Sequence, residues 1–131
     1  DFNVFPVEFF AILQEIKESS FNSASVLDES QKCIFLLNHS CQIYNHRPII
    51  CRSHGLPLLF MDQEGEEWQL SFCEKNFKDA PEDLFDFENT YPQDKFNSSL
   101  YLINKEFIAH YKDQAFSEQE LIPLKKLLNY L

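Results

Sequence analysis

Fifteen residues, Cys41 to Gly55, read CQIYNHRPIICRSHG and hold two cysteines, two histidines, two arginines and a proline. Cys33 lies upstream of this run and Cys73 downstream, and these four are all the cysteines in the chain. Thiolates are soft, charged ligands, so sulfur concentrated in a central segment points first to a metal ion. Zinc takes four thiolates in tetrahedral geometry and offsets their mutual repulsion, and iron accepts the same ligands. The intervals between the cysteines are seven, nine and twenty-one residues. Neither the two-residue knuckles of zinc fingers nor the close spacings of iron–sulfur ligands occur. By spacing alone, buried free cysteines acting as small hydrophobes are the rival reading.

The neighbouring side chains divide into candidates and bystanders. His54 follows Cys51 by three positions and is a candidate nitrogen ligand, set against a loop histidine bonded to backbone. His39 and His46 read as outer-sphere or surface residues, and His110 as structural. Arg47 and Arg52 either donate hydrogen bonds to thiolate sulfurs, easing the net −2 charge of a divalent four-thiolate site, or pair with carboxylates. Tyr44 reads as a core aromatic rather than a catalytic acid.

Taken in order, Cys33-Ile34-Phe35-Leu36, Cys41-Gln42-Ile43-Tyr44, Arg47-Pro48 and Cys51-Arg52 resemble the YkgJ-like cysteine-cluster family of zinc- or iron-chelating domain proteins. The resemblance covers the central third of the chain. It extends more weakly through Cys73-Glu74-Lys75-Asn76-Phe77 and into a helix containing Asn104 and Phe107. It implies metal binding, for which Cys33, Cys41, Cys51 and Cys73 are the ligands to expect, with zinc ranked first and iron second. Family members commonly carry a further, closely spaced cysteine group nearer the N-terminus, and here no cysteine precedes Cys33. Either that group was cut away or this member builds a reduced site.

Positioning those thiols falls to a few short elements. Residues 6–18 predict an amphipathic helix, with Pro6 in its first turn and Val7, Phe9, Phe10, Ile12, Leu13 and Ile16 as its apolar face. Ser19 to Ser23 break the pattern, and 24–30 form a short turn or linker. Pro48 keeps Arg47 out of helical geometry, so Arg47-Pro48 is a bend that opens a helical turn through Cys51. Leu58–Met61 and Glu67–Phe72 read as strands joined by a polar hairpin containing Gly65, with Cys73 at the exit. Residues 78–97 form an acidic loop pinned by its aromatics. A helix starting near Ser98 or Ser99 buries Leu100, Ile103, Phe107 and Tyr111. Ser117 to Glu120 has the arrangement of a capping box before a last helix that Pro123 kinks or starts.

Composition excludes several classes. A formal net charge of −10 repels nucleic acid, and no basic stripe offsets it. Two glycines rule out a Gly-rich phosphate cradle or dinucleotide fingerprint. No apolar run of about 18 residues exists, so no membrane span is expected. Fourteen Phe residues cannot all remain in water, which predicts a packed core. The reading is an α+β chain, 1–131 as a single cysteine-cluster metal-binding domain, with N- and C-terminal helices flanking a short β-hairpin and an irregular cysteine-rich segment. A cytoplasmic setting is expected. Two rivals stand beside metal binding. One is an iron-dependent or thiol-based redox enzyme, with Cys51 as nucleophile and His54 as base. The other is a metal-free interaction module presenting an aromatic, acidic surface to a protein.

Overall fold

A computed structural model describes residues 2–19, 21, 33–81 and 83–131. In chain order the elements are β1 (Asn3–Val4), α1 (Pro6–Glu18), β2 (Leu36–Leu37), β3 (Ser40–Cys41), a 3-10 turn (Tyr44–His46) and α2 (Ile49–Ser53). Then come β4 (Leu58–Met61), β5 (Trp68–Ser71), β6 (Tyr91–Pro92), α3 (Gln93–His110), β7 (Ile122–Pro123) and a 3-10 helix (Leu124–Tyr130). Helices with small separate sheets make the chain α+β, as its patterning predicts. Among the described residues no helix is long and apolar enough to cross a membrane. The expected linker at 24–30 lies outside the described residues. The elements pack as two compact units, Asp1–Arg52 with Ile103–Leu131, and Ser53–Leu102.

The first unit is built on α1. Phe9, Ile12, Leu13 and Ile16 recur at helical spacing and are buried. They join Val4, Phe35, Ile43, Ile122, Leu124 and Leu127 in one core. Antiparallel β1 and β7 pair Asn3 with Pro123 and Val4 with Ile122. The amide of Leu124 extends this ladder by donating to the Phe2 carbonyl at 2.8 Å. Phe10 leaves the core edge to meet Tyr111 at 4.6 Å and Phe107 at 6.0 Å between ring centroids.

α1 is capped from a distance. Phe5 precedes the helix and supplies no side-chain cap. Instead Asn104 Oδ1, carried by α3, accepts the Val7 amide at 3.1 Å. That amide belongs to the first turn, where no intrahelical acceptor exists. Asn104 is fully buried, and among the described residues its Nδ2 has no hydrogen-bond partner. Asn104→Ala is expected to destabilise the protein by about 1–3 kcal/mol, because a buried amide loses its acceptor. The unpartnered Nδ2 of the native residue holds the loss toward the lower end. Urea unfolding of the variant measures it.

Asn104 also corrects the expected face of α3. The helix starts at Gln93, several residues before Ser98, and Ile103 is 56% exposed. Asn104, Phe107 and Tyr111 form the face turned to α1, and one residue is a rotation of about 100°. Ile103 therefore falls to the side.

In the second unit β4 pairs antiparallel with β5, from Leu58↔Ser71 to Met61↔Trp68, and parallel with β6 at Leu58↔Tyr91. β5 and β6 are the outer strands of the order β5-β4-β6. The expected hairpin is present: Gly65 takes φ +72 and donates its amide to the Asp62 carbonyl at 3.1 Å. The Asp62 carboxylate accepts the Glu66 amide at 2.8 Å, and bonds of this kind hold its pKa below the usual value. Phe72, Phe77 and Phe85 cluster with centroids 5.0–6.1 Å apart, pinning the acidic loop as predicted. That loop ends earlier than expected, because Tyr91–Pro92 pairs with β4 and Asp94 caps β4 by accepting the Met61 amide at 2.6 Å.

The capping-box expectation is half met. Glu120 Oε2 accepts the Ser117 amide at 3.1 Å, yet Ile122–Pro123 enters a strand. The closing helix is 3-10 and begins after Pro123. Pairing with β1 wins over local helix propensity.

Candidate metal centre

Cys41 ends a hairpin too short to show in sequence, and Cys33 lies three residues before its first strand. Its register is Leu36↔Cys41 and Leu37↔Ser40, leaving Asn38-His39 as a two-residue turn. Both turn residues have positive φ, +48 and +63, as the primed turns of tight hairpins require. Asn suits that region well; His39 occupies it at the exposed tip. The Gln42 amide donates to the Phe35 carbonyl at 2.8 Å and the Leu36 amide to the Cys33 carbonyl at 3.1 Å. Phe35 and Ile43 are buried, and Cys33, Ile34 and Cys41 pack half-buried against the same core. Two thiols thus flank a buried aromatic.

Cys51 arrives from the other side of a bend. His46 closes the 3-10 turn, and Arg47 is extended at φ −62, ψ 138, as a residue before proline should be. The Pro48 carbonyl accepts from Cys51 at 3.0 Å and Arg52 at 3.1 Å. Cys51 therefore sits in the first turn of α2.

The arginines bracket this segment. Arg52 Nε donates to the Arg47 carbonyl at 2.7 Å and Nη2 to the Asn45 carbonyl at 2.8 Å. Arg47 Nε donates to the Tyr44 carbonyl at 2.9 Å, and its guanidinium carbon lies 3.7 Å from the Tyr44 ring centroid. These hydrogen bonds go to backbone carbonyls, while the Arg47 charge acts on Cys51 and the Arg52 charge on the Glu8 carboxylate. Tyr44, expected in the core, is 59% exposed, and its ring serves as the platform for Arg47.

The thiols sense one another. Burial pushes the Cys51 thiol up to about 11, with contributions in the same direction from Cys33 and Cys41 and opposition from Arg47. Thiols whose thiolate forms would repel that of Cys51 favour its neutral form. All four cysteines are free and half-buried. Cys73 lies in the second unit, two residues beyond β5, where its carbonyl accepts the amides of Asn76 and Phe77. Among the described residues no three Cys, His, Asp or Glu side chains form an assembled ion-holding group. The chemistry of the donors nevertheless suits a thiophilic ion, because cysteine sulfur is the ligand that zinc and iron share.

His46 Nδ1 lies 3.7 Å from the Glu15 carboxylate. His54 is exposed in the turn after α2, and His110 is exposed with Nδ1 2.9 Å from the Glu106 carbonyl. A cavity of about 500 Å³ opens between α1 and the 45–52 segment, walled by Glu8, Glu15, His46, Arg47 and Arg52. Acids and bases face one another there, so the cavity has no marked sign.

Sequence reasoning missed Glu8. Its Oε1 accepts the Ile49 amide at 2.7 Å, fastening α1 to the start of α2, two residues before Cys51. The one available signal is a lone acid in the apolar stretch Val7-Glu8-Phe9-Phe10. Burial raises the Glu8 pKa, against the Ile49 hydrogen bond and the Arg52 charge. A carboxyl whose folded pKa exceeds its unfolded one stabilises the fold fully below the unfolded pKa. That contribution is lost as pH rises through the folded value. Glu8→Gln keeps the acceptor oxygen without the charge. It is expected to gain stability over the native protein above the raised pKa and to lose that advantage below the ordinary carboxylate value. Denaturant midpoints taken from about pH 3 to about pH 8 span the window.

A family model described as "Putative zinc- or iron-chelating domain", CxxCxxCC, matches residues 8–74, half of the chain. The chain belongs to this family. The comparison with curated proteins and with solved structures found no match. All four cysteines of this CxxCxxCC member fall inside the matched stretch, together with Glu8 and both arginines. The close spacing spelled out in the family's name is absent, and sulfur donors seven, nine and twenty-one residues apart stand in its place.

Proposed function

We propose that the chain is a metal-binding protein that holds zinc, with iron as the alternative, through Cys33, Cys41 and Cys51. Cys73 is the expected fourth sulfur ligand. The single observation that carries this reading is the match of a zinc- or iron-chelating family model to residues 8–74, the stretch that holds all four half-buried free thiols. The influence of Cys33 and Cys41 on the ionisation of Cys51 supports the same three residues as ligands. Zinc is preferred because an all-sulfur, closed donor set is its structural chemistry.

The role is structural or metal-handling. Strands of two residues and a five-residue helix surround the thiols. Such elements are marginal alone. A structural zinc contributes about 10–16 kcal/mol of apparent binding free energy in small peptides, which is ample to order them. When bound, the ion would supply charge compensation and a cross-link between hairpin and helix. Cytoplasmic glutathione would keep four such cysteines reduced and available. The thiol-nucleophile alternative fits less well, since a catalytic cysteine needs a lowered pKa and Cys51 is raised to about 11.

Elemental analysis of protein isolated without added metal tests the proposal. About one equivalent of zinc or iron per chain is expected. Colourless protein indicates zinc. A chain that carries neither metal and takes up neither on titration ends the proposal.

A further inference from the structure

The strand β5 is unusual for an outer strand. All four of its residues, Trp68-Gln69-Leu70-Ser71, are exposed. Edge strands in monomeric proteins are ordinarily guarded by a lysine, a proline, a bulge or a covering loop, because their free amides and carbonyls template another strand. None of those residue types occurs within β5. Trp68, Leu70 and Phe72 fall at alternate positions and share one face, and all three are exposed. Phe87, 69% exposed, extends this face by setting its ring edge-on to Trp68 at 5.5 Å between centroids.

Charge selects the occupant. The stretch Ser53–Leu102 holds eleven Asp and Glu against three Lys. Glu66 and Glu67 precede β5, Glu74 follows it, and Asp86 and Glu88 flank Phe87. A second copy of this chain would bring the same acidic strand and a net charge of −10, which opposes self-pairing. Nucleic acid and anionic membrane surfaces are repelled by the same field. A segment with alternating basic and apolar side chains satisfies both features at once. Its backbone completes the ladder, its apolar side chains cover Trp68, Leu70 and Phe87, and its cations meet the carboxylates.

We infer that β5 is a docking edge for an extended, basic segment of a partner protein, which adds to the sheet as a further strand. This inference stands apart from metal binding, because it uses only residues of the second unit.

Trp68 is the sole tryptophan, so its emission reports directly on the edge. The probe is a ten-residue peptide of alternating lysine and valine, titrated into the metal-replete full chain. A saturable blue shift of Trp68 emission is expected. Affinity should fall about tenfold or more for the glutamate–valine peptide and for a lysine–valine peptide N-methylated at alternate residues, which cannot hydrogen-bond as a strand. Anisotropy of the labelled peptide should show a comparable loss for Leu70→Lys and for Phe87→Ala, both exposed substitutions, with metal content unchanged. Equal binding of the N-methylated peptide would reduce the effect to unspecific charge attraction and overturn the inference. So would the absence of saturation at millimolar peptide, or a concentration-dependent dimer in sedimentation that Leu70→Lys abolishes.

Discussion

Cys51→Ser protein is expected to emerge with its metal content reduced about tenfold or more, and with a melting temperature equal to that of native protein stripped by a chelator. Cys33 and Cys41 bracket the β2–β3 hairpin in sequence, whereas Cys51 is carried by α2 beyond the Arg47-Pro48 bend. Under the proposed ligand set, its loss leaves only the donors on either side of the hairpin and removes the cross-link to α2. Serine is close in size, so the core around Phe35 is spared and the change reads on the metal alone. Cys33→Ser is expected to behave alike, and Cys73→Ser tests the fourth ligand separately. Elemental analysis with calorimetry checks all three. Undiminished zinc in Cys51→Ser would place the ion elsewhere.

Phe35→Ala carries the second large effect, an expected loss of about 3–5 kcal/mol, typical of truncating a buried aromatic. Phe35 is fully buried, meets Phe21 at 6.2 Å between ring centroids, and lies between the two hairpin cysteines in sequence. Its removal hollows the floor on which Cys33 and Cys41 rest. Guanidinium unfolding with and without chelator separates this loss from that of a ligand. Phe35→Ala should be destabilised under both conditions, whereas Cys51→Ser and native protein should unfold alike once metal is removed. A Phe35→Ala chain as stable as native protein would show that the hairpin does not depend on the core beneath it.

The legible elements are those whose pattern is local. α1 announces itself through Pro6 and the spacing of Phe9, Ile12, Leu13 and Ile16, and the β4–β5 hairpin through two apolar runs around Gly65. Cys33 and Cys41 stand out by residue type, but their hairpin does not, since strands of two residues are too short to display alternation. Gln42-Ile43-Tyr44 has β character in isolation and instead turns into the 3-10 segment, exposing Tyr44 to carry Arg47. The remaining departures come from contacts far apart in sequence. Glu8 reaches Ile49 across 41 residues, and Asn104 reaches Val7 across 97. No window of local sequence contains both partners of either bond. For the same reason the start of α3 is hidden, because the pairing of Tyr91 with Leu58 decides it.

The pairing of β1 with β7 sets an order of events during synthesis. Val4 and the buried face of α1 are made well before Ile122, Leu124 and Leu127, which close over them. The nascent helix must therefore wait, its apolar side uncovered, while the hairpin of β4 and β5 emerges and can form from neighbouring residues alone. Chaperones that recognise greasy, unfinished helices would meet this chain while α1 is uncovered, and a product truncated before Ile122 would carry a helix that never finds its cover.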